Sequence, residues 1–297
     1  MKYVITGGAG HISKPVVEKL LAGGHLVTVI GRNAENLKEL VAKGATAAVG
    51  SVDDIKFLTK TFQGADAVYT MIPPNMAAPD WKSWIGQTGA NYAQAIKNAG
   101  VKYVVNLSSI GAHMAEGAGP VSGLYRAEQA LNALKDVNIK HLRPSYFFNN
   151  LLGNAGMVKQ MNIIGSNFGG KNFKMVLVDT NDIAEAAVEE LLTLNFRGNS
   201  IRYIASDERD INEVAKILGV AVGKPELPWV VFSNEQAYEG MIQAGLPQEV
   251  AKNYAEMGNA LNTGTMSEDY WKNHPATLGK IKIEDFAKTF AAVYNAN

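Results

Sequence analysis

The residues with the most specific chemical signal lie near the N-terminus, in the run Gly7-Gly8-Ala9-Gly10-His11-Ile12-Ser13. Glycine at position 7 lets a chain turn sharply out of a strand. Glycine at position 10 lets backbone approach a pyrophosphate held at the positive end of a helix, where a side chain would occupy the ligand's space. The third fingerprint position holds Ser13, which is small but not glycine, so the pattern is a slightly degraded Gly-x-x-Gly-x-x-Ser. A tight turn without a ligand is the alternative reading, and the context of strand, helix and second strand argues against it. About twenty residues on, sites for NAD place an acid against the ribose 2′-OH, whereas a basic residue suits the 2′-phosphate of NADP. The chain has Gly31-Arg32-Asn33 there and no acid before Glu35, so the expected cofactor is NADP(H).

The elements that must position these groups are readable from periodicity. Tyr3 to Thr6 and Leu26 to Ile30 are short apolar runs that look like buried parallel strands. Between them Ile12, Val16, Val17, Leu20 and Leu21 recur at helical spacing, Pro15 falls in the first turn, and Gly23-Gly24 ends the helix. Thr46 to Val49, Asp66 to Ile72, Val101 to Leu107 and Ile139 to Leu142 continue the strands, with helices between them. Asp53-Asp54 read as helix capping, and Pro73-Pro74 opens a loop over the carboxyl ends of the strands. The expected cofactor contacts are therefore Gly7, Gly10, His11 and Ile12 in the turn, Arg32 after the second strand, Ser51 and Val52 beside the adenine, Ile72 after the fourth strand and Ser108 after the fifth. Beyond the sixth strand, Tyr146, Phe147, Phe148 and Asn149 stand where a planar substrate would stack.

From Tyr146 onward the alternation loosens. Lys174 to Val178 and Ile201 to Ala205 read as strands, Asn181-Asp182 as the cap of a helix to Leu194, and the remainder as mainly helical. This predicts an α/β protein with a doubly wound parallel Rossmann sheet of about seven strands and a small, mainly helical C-terminal lobe. The expected division is a dinucleotide-binding core over 1–150 and a substrate-side lobe over 151–297, with about 174–205 returning to the core.

The 297 residues carry 28 basic and 28 acidic side chains, so there is no basic surplus for nucleic acid or an anionic membrane. Hydrophobic residues make up 47% of the chain, enough for a sizeable core, and the absence of cysteine excludes disulfides and thiolate chemistry. His11, His25, His113, His141 and His274 have no metal-ligand spacing. No apolar run reaches the roughly 18 residues of a spanning helix and no leader is visible, which fits a cytoplasmic protein.

Taken together, the Gly7 to Ser13 turn, Val29-Ile30-Gly31-Arg32, Asn106-Leu107-Ser108-Ser109, Glu128 with Leu131, Leu142-Arg143-Pro144-Ser145-Tyr146-Phe147 with Asn149, and Asp179-Thr180-Asn181-Asp182-Ile183-Ala184 resemble the NmrA-like group of atypical short-chain dehydrogenases/reductases. The resemblance covers roughly residues 1 to 195. It implies a seven-stranded parallel sheet, a small C-terminal lobe and NADP(H) in the cleft between them. Members of the group include quinone and azo-dye reductases as well as redox sensors that bind the nucleotide without turnover.

The wider superfamily carries Tyr-x-x-x-Lys, whose lysine favours phenolate. Here Tyr125 is followed four residues later by Gln129, and an amide has no charge to offer. Aligning Glu128 with the family glutamate instead puts Pro120 and Leu124 at the two positions, so the pair is absent either way. Catalytic candidates are then Tyr125, Asn149 and His113, with no assigned acid or base. Two functions follow as expectations: an NADPH-dependent reductase of a planar, quinone-like acceptor, or a nucleotide sensor that exchanges a protein partner.

Overall fold

The computed structural model describes residues 1–296. Strand and helix alternate through β1 (Lys2–Ile5), α1 (Ser13–Ala22), β2 (Leu26–Gly31), α2 (Lys38–Ala42), β3 (Thr46–Val49), α3 (Ile55–Phe62), β4 (Ala67–Thr70), α4 (Trp81–Ala99), β5 (Tyr103–Leu107), α5 (Pro120–Asn132) and β6 (Asn138–Pro144). The chain continues through β7 (Tyr146–Phe147), α6 (Ala155–Met161), β8 (Ile164–Ser166), β9 (Lys174–Val178), α7 (Thr180–Thr193), β10 (Asn199–Ile204), β11 (Asp207–Asp210), α8 (Ile211–Ala221) and β12 (Trp229–Val231). Four helices complete it: α9 (Asn234–Gln243), α10 (Gln248–Asn262), α11 (Glu268–Lys272) and α12 (Ile283–Ala296). None of the described helices is long and apolar enough to cross a membrane.

The main sheet has seven parallel strands in the order β10-β6-β5-β4-β1-β2-β3. Tyr3, Val4 and Ile5 of β1 are fully buried, as are Ala67, Val68 and Tyr69 of β4, which is why these strands read as continuous apolar runs rather than alternating ones. The order reverses between β1 and β4. In open α/β sheets the carboxyl ends of the strands at such a reversal are the usual ligand position. Two smaller sheets, β11-β9-β7 and β12-β8, lie in the second half, so the C-terminal lobe is helical around a strand framework. Asp54 caps α3 by accepting from the Phe57 N–H at 3.0 Å. The cap of α7, in contrast, is Asp179, which accepts from the Asn181 N–H at 2.7 Å, and not the expected Asn181-Asp182. Asp182 faces the other way, taking hydrogen bonds from Ser206 Oγ at 2.6 Å and from the Lys280 and Ile281 N–H groups.

A buried arginine joins the sheet to the lobe. Arg143 at the end of β6 and Glu128 on α5 are only 4% and 2% exposed. Arg143 Nε and Nη2 donate to the two Glu128 carboxylate oxygens at 3.0 and 2.6 Å, a bidentate pair. Nη1 donates to the Tyr203 hydroxyl of β10 at 3.0 Å and to Asp269 of α11 at 3.1 Å, and Tyr203 itself donates to Asp269. Burial disfavours the guanidinium charge, yet the hydrogen bonds and field of Glu128 outweigh this and hold the Arg143 pKa above its ordinary value. Beside this cluster runs a neutral chain: Thr70 Oγ1 donates to Asn106 Oδ1 at 2.8 Å, Asn106 Nδ2 lies 3.1 Å from His141 Nδ1, and His141 Nε2 lies 2.9 Å from Asn132 Oδ1. One neutral imidazole, protonated on Nε2, satisfies both contacts. Burial holds the His141 pKa below its ordinary value, and the Arg143 charge adds to this against the opposing field of Glu128.

Removing Glu128 would leave the buried cation with only the more exposed Asp269 carboxylate as counter-charge. Glu128→Ala should cost about 3–5 kcal/mol in urea unfolding, and a loss below about 1 kcal/mol would show that the pair does not hold the fold together. For His141 the sign is the opposite of an ion-paired histidine. The unfolded chain takes up the proton near pH 6.5 while the folded chain resists it, so stability should fall as the pH drops from 7 to 5.5, by at most about 1.4 kcal/mol per unit from this group. His141→Gln should flatten that slope in thermal melts across the range, and an unchanged slope would acquit His141.

Candidate functional site

The glycine turn is built by three separate constraints. Gly7 has φ 72°, the left-handed region, and a Cβ there would fall 2.3 Å from Met71 Sδ. Gly8 packs on β2, where a Cβ would come within 2.4 Å of Val29 Cγ2 and 2.8 Å of a Leu37 methyl, while its N–H donates to the Ile30 carbonyl at 3.0 Å. Gly10 N–H donates back to the Gly7 carbonyl at 2.9 Å, and a Cβ on Gly10 would sit 3.2 Å from that same oxygen. The residue that fails to be glycine has its own task, because Ser13 Oγ donates to the Thr6 carbonyl at 3.0 Å and ties the first turn of α1 to the end of β1.

What this turn leaves open is the start of α1. Its N-cap position, Ile12, has no side-chain acceptor and the first turn carries no acid. The next bonded amide is Lys14, which donates to the Gly10 carbonyl at 2.9 Å. Among the described residues no acceptor reaches the N–H groups of His11, Ile12 or Ser13. Three aligned free donors at the positive end of a ten-residue helix fit a pyrophosphate. Arg32, directly after β2, is exposed and forms neither a salt bridge nor a hydrogen bond among the described residues, while the nearest acid, Glu35, is paired with Lys38 at 2.6 Å. After β3, where an adenine is expected, Val52 is buried with its carbonyl 3.4 Å from Asn91 Nδ2, and Ser51 Oγ donates to Asp53 at 3.1 Å. Ile72 is half-buried against the apolar cluster of Trp81, Ile85 and Val250 that joins the loop after β4 to α10. The lobe is clamped over this loop by Glu249, which accepts from the Trp81 N–H at 3.1 Å, and by Glu256, 2.8 Å from Lys82 Nζ. These residues fit a dinucleotide.

Just beyond β5 and β6 the buried Ser108 and Ser145 hydroxyls have no hydrogen-bond partner among the described residues, nor has His113 Nδ1. Tyr125 is half-buried on α5 and makes no hydrogen bond among the described residues, so nothing links it to Ser108 or His113; Gln129, one turn on, is exposed. Leu124, at the alternative lysine position, packs into the cluster with Trp81 and Tyr254. No charged acid–base couple is assembled here.

The four expected substrate residues do not share one surface. Tyr146 and Phe147 are consecutive in β7 and face opposite ways, Phe147 into the core of the main sheet and Tyr146 into a cavity of about 440 Å³. Phe148 is a correction: it is fully buried, stacked on Phe286 with centroids 5.3 Å apart and planes 21° apart, and has no face left for a substrate. Asn149 is half-buried without a hydrogen bond among the described residues. The aromatic surface beside Tyr146 comes instead from Phe168, Phe173 and Trp271, remote in sequence and read there as core-type residues or not singled out at all. Burial, with a smaller push from the neighbouring Tyr254, raises the Tyr146 phenol well above its ordinary pKa and keeps it protonated, a hydrogen-bond donor rather than a base. Tyr254 lies on α10, edge-on to Trp81 at 5.4 Å. Nothing in the sequence pairs these two phenols.

Comparison with known proteins finds relatives over nearly the whole chain. The model of the NmrA-like family matches residues 2–288. An NAD(P)H azoreductase of Xenophilus azovorans is 26% identical over 300 residues, covering 99% of both chains. Among solved structures, the triphenylmethane reductase of a Citrobacter species, complexed with NADP(H), superposes with a TM-score of 0.79 at 22% identity, covering 97% of this chain and 99% of that one. An NADPH-dependent quinone oxidoreductase of Escherichia coli does so with a TM-score of 0.79 at 19% identity, covering 97% and 98%. With the match running over nearly its whole length, the chain belongs to the NmrA-like family.

Proposed function

We propose that the protein binds NADP(H) in the crevice between β1 and β4 and reduces a planar conjugated acceptor held beyond β6. The observation that carries this reading is that the start of α1 presents three amides with no acceptor among the described residues, as a pyrophosphate requires, while an aromatic cavity lies at the carboxyl ends of β5 and β6 in the same sheet. In this reading Arg32 grips the 2′-phosphate, the His11 to Ser13 amides hold the pyrophosphate, Val52 and Ile72 flank the adenosine and ribose, and Ser108 lies at the nicotinamide end. When bound, the nucleotide would supply a hydride to the acceptor, and the proton that completes the reduction would come from water. A conjugated acceptor suits the missing couple, because its product anion is delocalised and needs no tuned general acid. The names of the relatives, an NAD(P)H azoreductase and an NADPH-dependent quinone oxidoreductase, support the same class of reaction.

Nucleotide binding is tested by calorimetry. NADPH should bind about tenfold or more tightly than NADH, since only NADPH gains a charge-assisted bond to Arg32, and Arg32→Ala should remove most of that preference. Equal affinities in the wild type would contradict the cofactor assignment. Gly10→Val should abolish binding of both nucleotides in a protein that still unfolds cooperatively.

Chemistry is tested by NADPH oxidation against a panel of quinones, azo dyes and simple carbonyls. Tyr125→Phe should stay within about tenfold of wild type, whereas loss of a true general acid would cost roughly 10²–10⁴-fold. Tight NADPH binding with no turnover on any acceptor, and a nucleotide-dependent change in protease sensitivity of the Gly111 to Gly119 loop, would reject the reductase in favour of a sensor that exchanges a protein partner.

A further inference from the structure

The cavity beside Tyr146 carries a substrate preference. We propose that it binds an uncharged planar aromatic molecule of naphthoquinone size and discriminates against anionic ring systems. Its role as the acceptor site rests on the reductase reading above; its binding chemistry does not.

At about 440 Å³ the cavity lies within the range of small-molecule sites. Its walls are Tyr146, Phe168, Phe173, Met175, Leu261 and Trp271. Tyr146 stands edge-on to Phe168 with centroids 5.7 Å apart, and Phe168 lies 5.9 Å from Phe173, so the inner wall is a continuous aromatic surface. Ile110, also in the lining, has its N–H bonded to the Pro144 carbonyl at 2.8 Å, which fixes the cavity to the carboxyl ends of β5 and β6. The Tyr146 hydroxyl makes no hydrogen bond among the described residues, which leaves its proton free for a ring carbonyl.

The charge preference comes from the rim. Asn262, Thr263 and Ser267 are neutral, and Lys174 is the one ionisable cation in the lining. Its ammonium is already compensated, 2.9 Å from Glu208 and 5.1 Å from the Trp271 ring centroid. Glu208 is held in turn by the Tyr270 hydroxyl at 2.6 Å and His274 at 2.5 Å. Although burial opposes its charge, these partners and Lys174 keep its pKa below the ordinary value. A sulfonate entering the rim would therefore find no free cation and would have to compete with a carboxylate for Lys174, while a neutral ring loses nothing on entry.

The test is equilibrium dialysis of the full chain, without nucleotide, against 1,4-naphthoquinone and 1,4-naphthoquinone-2-sulfonate. The neutral quinone should bind at least about tenfold more tightly. Ser267→Phe, which fills the cavity from the rim, and Trp271→Ala, which removes a stacking wall, should each weaken the neutral quinone about tenfold or more while thermal unfolding remains cooperative. Glu208→Gln should release the Lys174 charge and bring the sulfonate towards parity, a change that loss of fold would not produce. Equal binding of the two quinones by wild type, no binding of the neutral one, or undiminished binding in folded Ser267→Phe would overturn the proposal. NADPH titration of the same variants reports the cofactor site separately, so either reading can fail alone.

Discussion

The arrangement depends on placing one arginine out of water. Arg143 is the point at which α5, β6, β10 and α11 meet, through Glu128, its own backbone, Tyr203 and Asp269. A buried guanidinium tolerates little misplacement, because its desolvation is offset only while the carboxylates stay in register. The consequence is geometric. The segment from Gly264 to Lys272, which would otherwise be a surface excursion, is pinned against the strand ends through Asp269, and with it Trp271 becomes a wall of the cavity. Tyr270, fully buried beside Trp271, adds a second tether through Glu208.

The local geometry of the glycine turn, the candidate nucleotide site, was legible in the sequence, since local rules govern it. Glycines, a small polar residue and a basic residue at fixed spacing act within one βαβ unit, and the unit forms where its pattern says. Even there two roles needed the structure: Gly8, rather than the third fingerprint position, provides the close packing on β2, and Ser13 replaces packing by a hydrogen bond. Arg32 being unpaired is likewise invisible until Glu35 is seen bonded to Lys38.

The proposed acceptor cavity was not legible, for equally physical reasons. Tyr146, Phe147 and Phe148 form a single aromatic run in sequence, but a two-residue strand sends the first two to opposite faces and the turn after it buries the third. The cavity's other aromatics lie from 22 to 125 residues further along, Phe168 and Trp271 being the limits, and are brought together by long-range packing and, for Trp271, by the Arg143–Asp269 ion pair, which no periodicity encodes. Glu128 and Arg143 were visible as family positions without being visible as partners. The hydrogen-bonded chain from Thr70 to Asn132 shows the same thing: four polar residues that look unremarkable separately are satisfied only collectively.

The most direct measurement is a crystal structure of the protein with NADP⁺ and 1,4-naphthoquinone bound together. It should show the pyrophosphate on the His11 to Ser13 amides, the 2′-phosphate on Arg32, and the quinone between Tyr146 and Trp271 with its ring facing the nicotinamide. A nucleotide bound elsewhere, or a quinone lodged away from Tyr146 while the nucleotide occupies the turn, would contradict it.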